Sequence, residues 1–185
     1  IAWFMVRHCS KVEREQMCAV LAFIGFCLVF FTLYEQTYGS WVLFSDRAMN
    51  HAALGVEWSA SQLTSLGAFF ILVLAPAFAW LWPRLDRCGR NPGSVTKSAL
   101  GLLFAGLSFF VLAWSARHPQ ANGLTGIWWF VLAYFVLEIG EMLLSPIGLS
   151  VVTALSVPRV VGLMMGGWFL GTSYSEVLAA QLGKL

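Results

Sequence analysis

The sequence predicts an all-α polytopic membrane protein. Hydrophobic residues make up 59% of its 185 residues and charged residues only 11%, whereas soluble domains carry about 25% charged residues. A chain of this length cannot hide so much apolar surface in its own interior, so the surplus is expected to face lipid. The formal net charge of +2 indicates no nucleic-acid-binding surface, so nucleic acid is not an expected partner.

Five apolar stretches support this fold class, because each is long enough to cross about 30 Å of hydrocarbon as a helix. Connections rich in Pro, Gly and charged residues separate them, and Pro158 divides the last two with almost no loop. The predicted spans are 16–44, 59–82, 97–115, 127–155 and 159–182. The first and fourth exceed the length that the hydrocarbon requires, so we expect them to tilt, bend or protrude.

The basic residues predict the orientation of these spans. If the helices alternate in direction, the Lys and Arg residues divide unequally between the two sides of the membrane. One side holds Arg7, Lys11, Arg14, Arg84, Arg87, Arg90, Lys97 and Arg159, and the other holds Arg47, Arg117 and Lys184. Cytoplasmic loops carry the excess of Lys and Arg, so the larger group is expected in the cytoplasm.

The last span contains a series of small residues at helical spacing. Gly162 and Gly166 stand four residues apart, and Gly167 and Gly171 follow them. Small residues four apart allow two membrane helices to approach closely. The sequence therefore predicts helix packing along this face.

Two acids, Glu138 and Glu141, stand near the middle of the fourth span. An ionisable group at that depth costs about 3 kcal/mol on insertion scales, so its default interpretation is functional. On a helix these acids share a face with Ser145, because successive residues are about 100° apart. Pro146 follows and cannot donate a backbone hydrogen bond. We expect this face to line the bundle interior or a wet cavity.

The acids have no predicted cation in this chain, because no Lys or Arg stands in the interior of a predicted span. Two glutamates one turn apart repel each other if both are ionised. Such a pair can hold a proton in one state and a salt bridge in another, which proton coupling requires. A structural role remains an alternative for Glu138 and Glu141, in which they only join helices by hydrogen bonds. Glu35 is a further candidate, unless its side chain extends to the interface.

Four segments resemble parts of the proton-dependent oligopeptide transporter (POT/PTR) family of the major facilitator superfamily. They are FFTLYEQTYGSW (30–41) for the seventh helix, LWPRLDRCGRNP (81–92) for the loop after the eighth, GEMLLSPIGLS (140–150) for the tenth and VGLMMGGWFLGTS (161–173) for the eleventh. The resemblance implies that residues 1–185 form most of the C-terminal six-helix bundle, with about five transmembrane helices (family helices 7–11). The last helix and the N-terminal bundle would be missing.

The resemblance also implies a function, namely proton-coupled symport of di- and tripeptides by alternating access. Glu141, Ser145 and Trp168 would bind substrate, and Glu35, Glu141 and Glu138 would serve proton coupling and gating. The opposing Lys and Arg would come from the N-terminal bundle. No cofactor is expected besides the proton as coupling ion, and no metal. The expected partners are small peptides, membrane lipids and the N-terminal bundle, in a bacterial inner membrane.

At four positions the sequence differs from the residues that are common in the family it resembles. Gly67 and Glu176 stand where Asn is common, Phe31 where Trp is frequent, and Glu138 where the residue is commonly not acidic. The Gly67 departure leaves open the range of peptides. Because the family includes members that move other solutes, the resemblance also leaves open another small solute such as nitrate or a drug-like compound, and the sequence leaves open a non-transporting receptor with this fold. A membrane enzyme is disfavoured, because no His or Cys stands near the acids and no HExxH pattern occurs.

Overall fold

The computed structural model describes residues 9–53 and 55–184. Helix α1, Lys11–Tyr34, begins with a capping box: the Ser10 hydroxyl accepts from the Glu13 amide, and the Glu13 carboxylate accepts from the Ser10 amide. These bonds satisfy amides that the first helical turn leaves unpaired. A 3₁₀ turn, Glu35–Tyr38, and Gly39 separate α1 from α2, Ser40–Ala48. The first predicted span is therefore interrupted before its C-terminal end.

The remaining elements follow in the predicted order. They are β1 Met49–Asn50, β2 Ala52–Ala53, β3 Val56–Glu57, α3 Ala60–Leu63, α4 Ser65–Arg87, α5 Ser94–Arg117, β4 Thr125–Gly126, α6 Ile127–Leu155, a 3₁₀ turn Pro158–Val160, and α7 Val161–Leu182. The strands are two residues long; β1 pairs with β4 in parallel, and β2 with β3 in antiparallel orientation. They join loop segments at one end of the bundle and contribute little to its core.

Contacts at the two ends show that α1 and α7 run in the same direction, as alternation of the five long helices requires. The Arg159 guanidinium lies 3.4 Å from the Glu13 carboxylate, which joins the start of α1 to the turn before α7. At the opposite end, the Gln36 amide donates to the Ala179 carbonyl over 2.8 Å and joins the end of α1 to α7. This alternation is the one on which the predicted orientation depends. Of the basic residues in that prediction, Arg7 lies outside the described residues.

In the described part of the chain, four helical segments are long and apolar enough to cross a membrane. They are Lys11–Ala48, Ala60–Arg87, Ser94–Arg117 and Ile127–Leu155. The predicted fifth span forms α7, a helix of 22 residues, but its glycines and polar side chains lower its hydropathy. At 1.5 Å per residue α7 is about 33 Å long, enough to cross the hydrocarbon. The fifth crossing therefore stays a prediction.

Helix α6 is the centre of the bundle and packs against α1, α4, α5 and α7. Its most extensive contact is with α5, where Gly140 and Gly101 meet: a Cβ at Gly140 would lie 2.8 Å from the Gly101 carbonyl oxygen. By contrast, no described residue comes within 4 Å of a Cβ at Gly162 or Gly166. The close packing predicted at those two glycines is therefore wrong within this bundle. Only Gly171 of that series makes a close contact, with Ile24 of α1.

Candidate functional site

Glu138 is the most deeply buried acid among the described residues. Its side chain lies on α6 with no solvent exposure. The Tyr34 hydroxyl of α1 donates a hydrogen bond to Glu138 Oε1 over 3.2 Å. Oε2 has no hydrogen-bond partner among the described residues. One oxygen of the carboxyl is thus held by a neighbouring helix, and the other is enclosed without a partner.

Gly67 of α4 makes the space that the Glu138 carboxyl occupies. A Cβ built at Gly67 would lie 3.0 Å from Glu138 Oε1, and 3.7 Å from both Tyr134 Cε1 and the Tyr34 hydroxyl. A Cβ at 3.0 Å from an oxygen is tighter than most Cβ contacts, so a larger side chain at this position would require the carboxyl to shift by a few tenths of an ångström. Two of the departures from the family pattern, Gly67 and Glu138, are therefore one packing arrangement.

Glu141 and Ser145 lie further along the same face of α6 and are only partly buried. Glu141 Oε2 and Ser145 Oγ are nevertheless enclosed atoms without hydrogen-bond partners among the described residues. The Glu141 carboxyl interacts with the Glu138 carboxyl and with the Tyr34 hydroxyl. The structure thus brings both predicted acids together, and it adds a hydroxyl from α1 between them.

No cation is among the titratable groups that act on Glu138, which in the described part of the chain are Glu141, Tyr34, Tyr38 and Tyr134. The ion pair of Glu13 with Arg159 lies at the start of α1, far along the helix from this site. A pair of carboxyls without a cation can bind a proton or a positively charged group. Among the described residues, no group of three His, Cys, Asp or Glu side chains could hold a metal ion.

Trp168 of α7 lies at the other end of this polar face. Its side chain is buried, and its ring covers Gly148 so closely that a Cβ there would overlap the ring. Phe23 stacks on Trp168 with ring centroids 6.2 Å apart, and Phe31 meets it edge-on at 6.5 Å. Within this bundle Trp168 is therefore a packed aromatic residue that closes one end of the face, next to Ser145.

Glu35 lies apart from these acids, in the 3₁₀ turn after α1. Its half-buried carboxyl interacts with the carboxyl of Glu176, which is exposed on α7. Both side chains line a cavity of about 360 Å³ together with Gln36 and Lys184. The structure therefore does not bring Glu35 together with Glu138 and Glu141. It places Glu35 in a second acidic site near the end of the bundle.

Sequence reasoning missed the roles of Tyr34 and Gln36. Both stand beside Glu35, and the sequence pattern of this segment pointed only to that acid. A signal was present, because a Tyr hydroxyl or a Gln amide on an apolar helix needs a hydrogen-bond partner when it is buried. Tyr34 finds that partner in Glu138, and Gln36 finds it in Ala179 and Ser40. The contacts with Glu138 and Ala179 could not be identified from spacing along the chain, because those residues are far from Tyr34 and Gln36 in sequence.

Comparison with known proteins gives a consistent result over nearly the whole chain. The family model described as "POT family" matches residues 2–185. The peptide transporter YePEPT of Yersinia enterocolitica subsp. palearctica is 32% identical over 182 residues, which are 97% of this chain and 36% of that protein. Dipeptide and tripeptide permease B of Aeromonas hydrophila subsp. hydrophila is 33% identical over 184 residues, with coverage of 97% and 36%.

A solved structure shows the same arrangement of helices. The crystal structure of the peptide transporter POT in complex with sulfate superimposes with a TM-score of 0.89 and 34% identity, over 98% of this chain and 37% of that one. The chain thus spans little more than a third of the length of the relatives that it matches. The similarity confirms the predicted fold class, and all three relatives are transporters and not enzymes, as predicted.

Proposed function

Since the chain belongs to the POT family and is part of an integral multi-pass membrane protein, we propose that the whole protein is a proton-coupled symporter of di- and tripeptides. The described helices would be family helices 7–11, within the C-terminal bundle. The permease from Aeromonas hydrophila carries both peptide lengths in its name, which supports this substrate class. Alternating access would move the bundle against an N-terminal bundle that supplies the opposite wall.

The observation that carries this proposal is the pair of enclosed carboxyls on α6 without a cation in the described chain. Glu138 Oε2 and Glu141 Oε2 both lack hydrogen-bond partners there. An acidic side chain inside the membrane costs free energy, so it is expected where a proton or a cation binds to it. Glu141 is only partly covered, so a peptide ammonium group or a Lys from the N-terminal bundle could reach it.

The other site residues take roles that follow from their positions. Ser145 would bind substrate beside Glu141, and Trp168 would form the adjoining end of the substrate cavity. Glu35 would act in gating and proton coupling at the opposite end, where its carboxyl lines an open cavity. An Arg of the N-terminal bundle would neutralise it when that gate closes.

We propose the bacterial inner membrane as the location, with the larger group of basic residues in the cytoplasm. The coupling ion is the proton, and no other cofactor is required. Membrane lipids surround the apolar helix faces, and the membrane potential supplies about 2.3 kcal/mol per charge for each 100 mV. The partners are small peptides and the N-terminal bundle of the same protein.

The test is uptake of a labelled dipeptide by the full-length protein in liposomes with an imposed proton gradient. We expect Glu141→Gln to lower gradient-driven uptake about tenfold to a hundredfold, because a hydrogen bond to a charged group contributes about 1.5–3 kcal/mol. Glu57→Gln, an exposed acid of β3, is the matched control and should transport like the wild type. Unchanged gradient-driven uptake in Glu141→Gln would contradict its coupling role.

The same liposomes distinguish the alternative functions. Counterflow of labelled peptide against unlabelled peptide requires transport, so its absence in the wild type would favour a non-transporting receptor. If peptides fail to exchange but nitrate or a drug-like solute does, the family member has a different substrate. Either result would overturn peptide symport without changing the assignment to the family.

A further inference from the structure

We infer that Glu138 is a positioning residue that holds a proton behind Glu141, in a space that exists because residue 67 is a glycine. The inference rests on the proposed function, because it assigns a role within proton coupling. It goes beyond that function in three respects: Glu138 does not contact substrate, Tyr34 orients its carboxyl, and Gly67 leaves room for it.

Burial separates Glu138 from the substrate path. The described residues of this bundle alone reduce its exposure to zero, so it is covered before any other part of the protein is added. Glu141, one turn further on α6, remains partly exposed. A peptide can therefore reach Glu141 from the surface of the bundle, whereas the side chain of Glu138 has no exposed surface to contact.

The surroundings of Glu138 favour the neutral carboxylic acid. The titratable groups that face it are Tyr34 of α1, Tyr38 of the first 3₁₀ turn, and Tyr134 and Glu141 of α6 itself. Helix α4 contributes Gly67, which carries no titratable group. An ionised carboxylate in such a place has one hydroxyl donor and no cation, and burying a charge without a cation is strongly unfavourable.

The hydrogen bond from Tyr34 leaves one oxygen of Glu138 available for a proton. Oε1 of Glu138 accepts from the Tyr34 hydroxyl at 3.2 Å, as a carbonyl oxygen does. Oε2 has no hydrogen-bond partner among the described residues, so a proton on Oε2 leaves the bond to Tyr34 intact. The carboxyl of Glu141 interacts with that of Glu138, which makes Glu141 the partner in proton exchange.

The proton transfer balances within the pair. The O–H bond at Glu138 Oε2 breaks, an O–H bond forms on an ionised oxygen of Glu141, and the single negative charge moves to Glu138. The Tyr34 hydroxyl then donates to an ionised carboxylate, and such bonds are about twice as strong as neutral ones. When a cation binds Glu141, the charge is stabilised there and the proton returns to Glu138.

Gly67 sets the geometry of this arrangement. A Cβ at that position would stand 3.0 Å from Glu138 Oε1, so Gly67→Ala shifts the carboxyl slightly without changing any ionisable group. Gly166→Ala is the matched control, because a Cβ there meets no described atom within 4 Å.

The direct test is infrared spectroscopy of the full-length protein, which detects the carbonyl stretch of a protonated carboxylic acid. We expect the wild type to show such a band near neutral pH. Glu138→Gln should remove it, Tyr34→Phe should shift it because the hydrogen bond to Oε1 is lost, and Gly67→Ala should shift it by a smaller amount because the carboxyl must move. Glu57→Gln and Gly166→Ala should leave it unchanged. A wild type without the band, or a band that survives in Glu138→Gln, would overturn the inference.

Uptake measured over a range of external pH tests the link to Glu141. We expect Glu138→Gln to change the shape of this pH profile, whereas a merely structural defect would lower uptake by the same factor at every pH. An unchanged shape overturns the positioning role. If wild-type liposomes show no peptide counterflow at all, the proposed function fails, and the infrared band still decides whether Glu138 holds a proton. Tyr34→Phe keeps both tests decisive if Glu138→Gln fails to fold.

Discussion

The bundle holds two pairs of glutamates that differ in what covers them. The inner acid pair, Glu138 and Glu141, stands on α6 and is enclosed by neighbouring helices of the same chain. The outer acid pair, Glu35 and Glu176, lies at the end of the bundle and lines an open cavity of about 360 Å³. All four residues are glutamates, so the difference teaches that packing, and not residue type, decides which pair is enclosed.

The two pairs also differ in how they are assembled. The inner acid pair stands three residues apart on one helix, so helix geometry alone keeps its members on one face. The outer acid pair comes from separate helices, which the Gln36 amide joins through its bond to the Ala179 carbonyl. The outer site therefore depends on one polar contact between helices, and the inner site on the packing around α6.

The largest expected effect is a difference in chemical access between the two pairs. In a full-length variant with Cys9, Cys18, Cys27 and Cys88 replaced, we expect Glu176→Cys to react to completion with a water-soluble maleimide. Glu138→Cys should stay unlabelled over the same time, because its position has no solvent exposure. Gel-shift or mass analysis measures the labelled fraction. Equal labelling at both positions would show that the two pairs do not differ in solvent exposure.

The second prediction concerns the packing of the Trp168 ring on Gly148, at one end of the face that carries the inner acid pair. A Cβ there overlaps the Trp168 ring, so we expect Gly148→Ala to destabilise the full-length protein by about 1–3 kcal/mol. Gly106→Ala on α5 meets no described atom within 4 Å, and should be neutral or stabilise by up to about 1 kcal/mol. Thermal unfolding in detergent compares them. An equal loss of stability in both variants would show that Trp168 does not pack on Gly148 as described.

The third prediction concerns the contact that assembles the outer acid pair. Gln36→Leu removes the donor to the buried Ala179 carbonyl, so we expect a loss of about 1 kcal/mol. Gln181→Leu, on the exposed end of α7, is the control and should change stability by less than about 0.5 kcal/mol. The same unfolding assay measures both. If Gln36→Leu is neutral, other contacts hold α7 beside Glu35.

The smallest effect on stability is expected at Glu13, an acid near the surface that forms an ion pair. Glu13→Gln keeps an oxygen to accept from the Ser10 amide but removes the charge opposite Arg159, 3.4 Å away. Surface ion pairs contribute about 0–1 kcal/mol, so the loss should stay below about 1 kcal/mol and shrink at high salt. Chemical or thermal unfolding at two salt concentrations checks this. A larger loss would show that charge outweighs burial in this bundle.

Much of the architecture could be predicted because it depends on relations within one segment. Apolar length predicted the long helices, and the parallel α1 and α7 agree with the alternation that consecutive crossings of a membrane require. The helical period placed Glu138, Glu141 and Ser145 on one face of α6. Each of these relations is set by 3.6 residues per turn or by the thickness of the hydrocarbon, so no neighbouring helix is needed to establish them.

Relations between helices were decided only by the tertiary structure. The donation from Tyr34 to Glu138, the space at Gly67 and the Trp168 ring over Gly148 each join residues far apart in the chain. The packing predicted at Gly162 and Gly166 was wrong for the same reason. Spacing along a helix shows which residues share a face, but the rotation and crossing of the helices determine what that face meets. The sequence therefore determined that α6 carries two acids on one face, and the packing of α1, α4 and α7 determined which of them is enclosed.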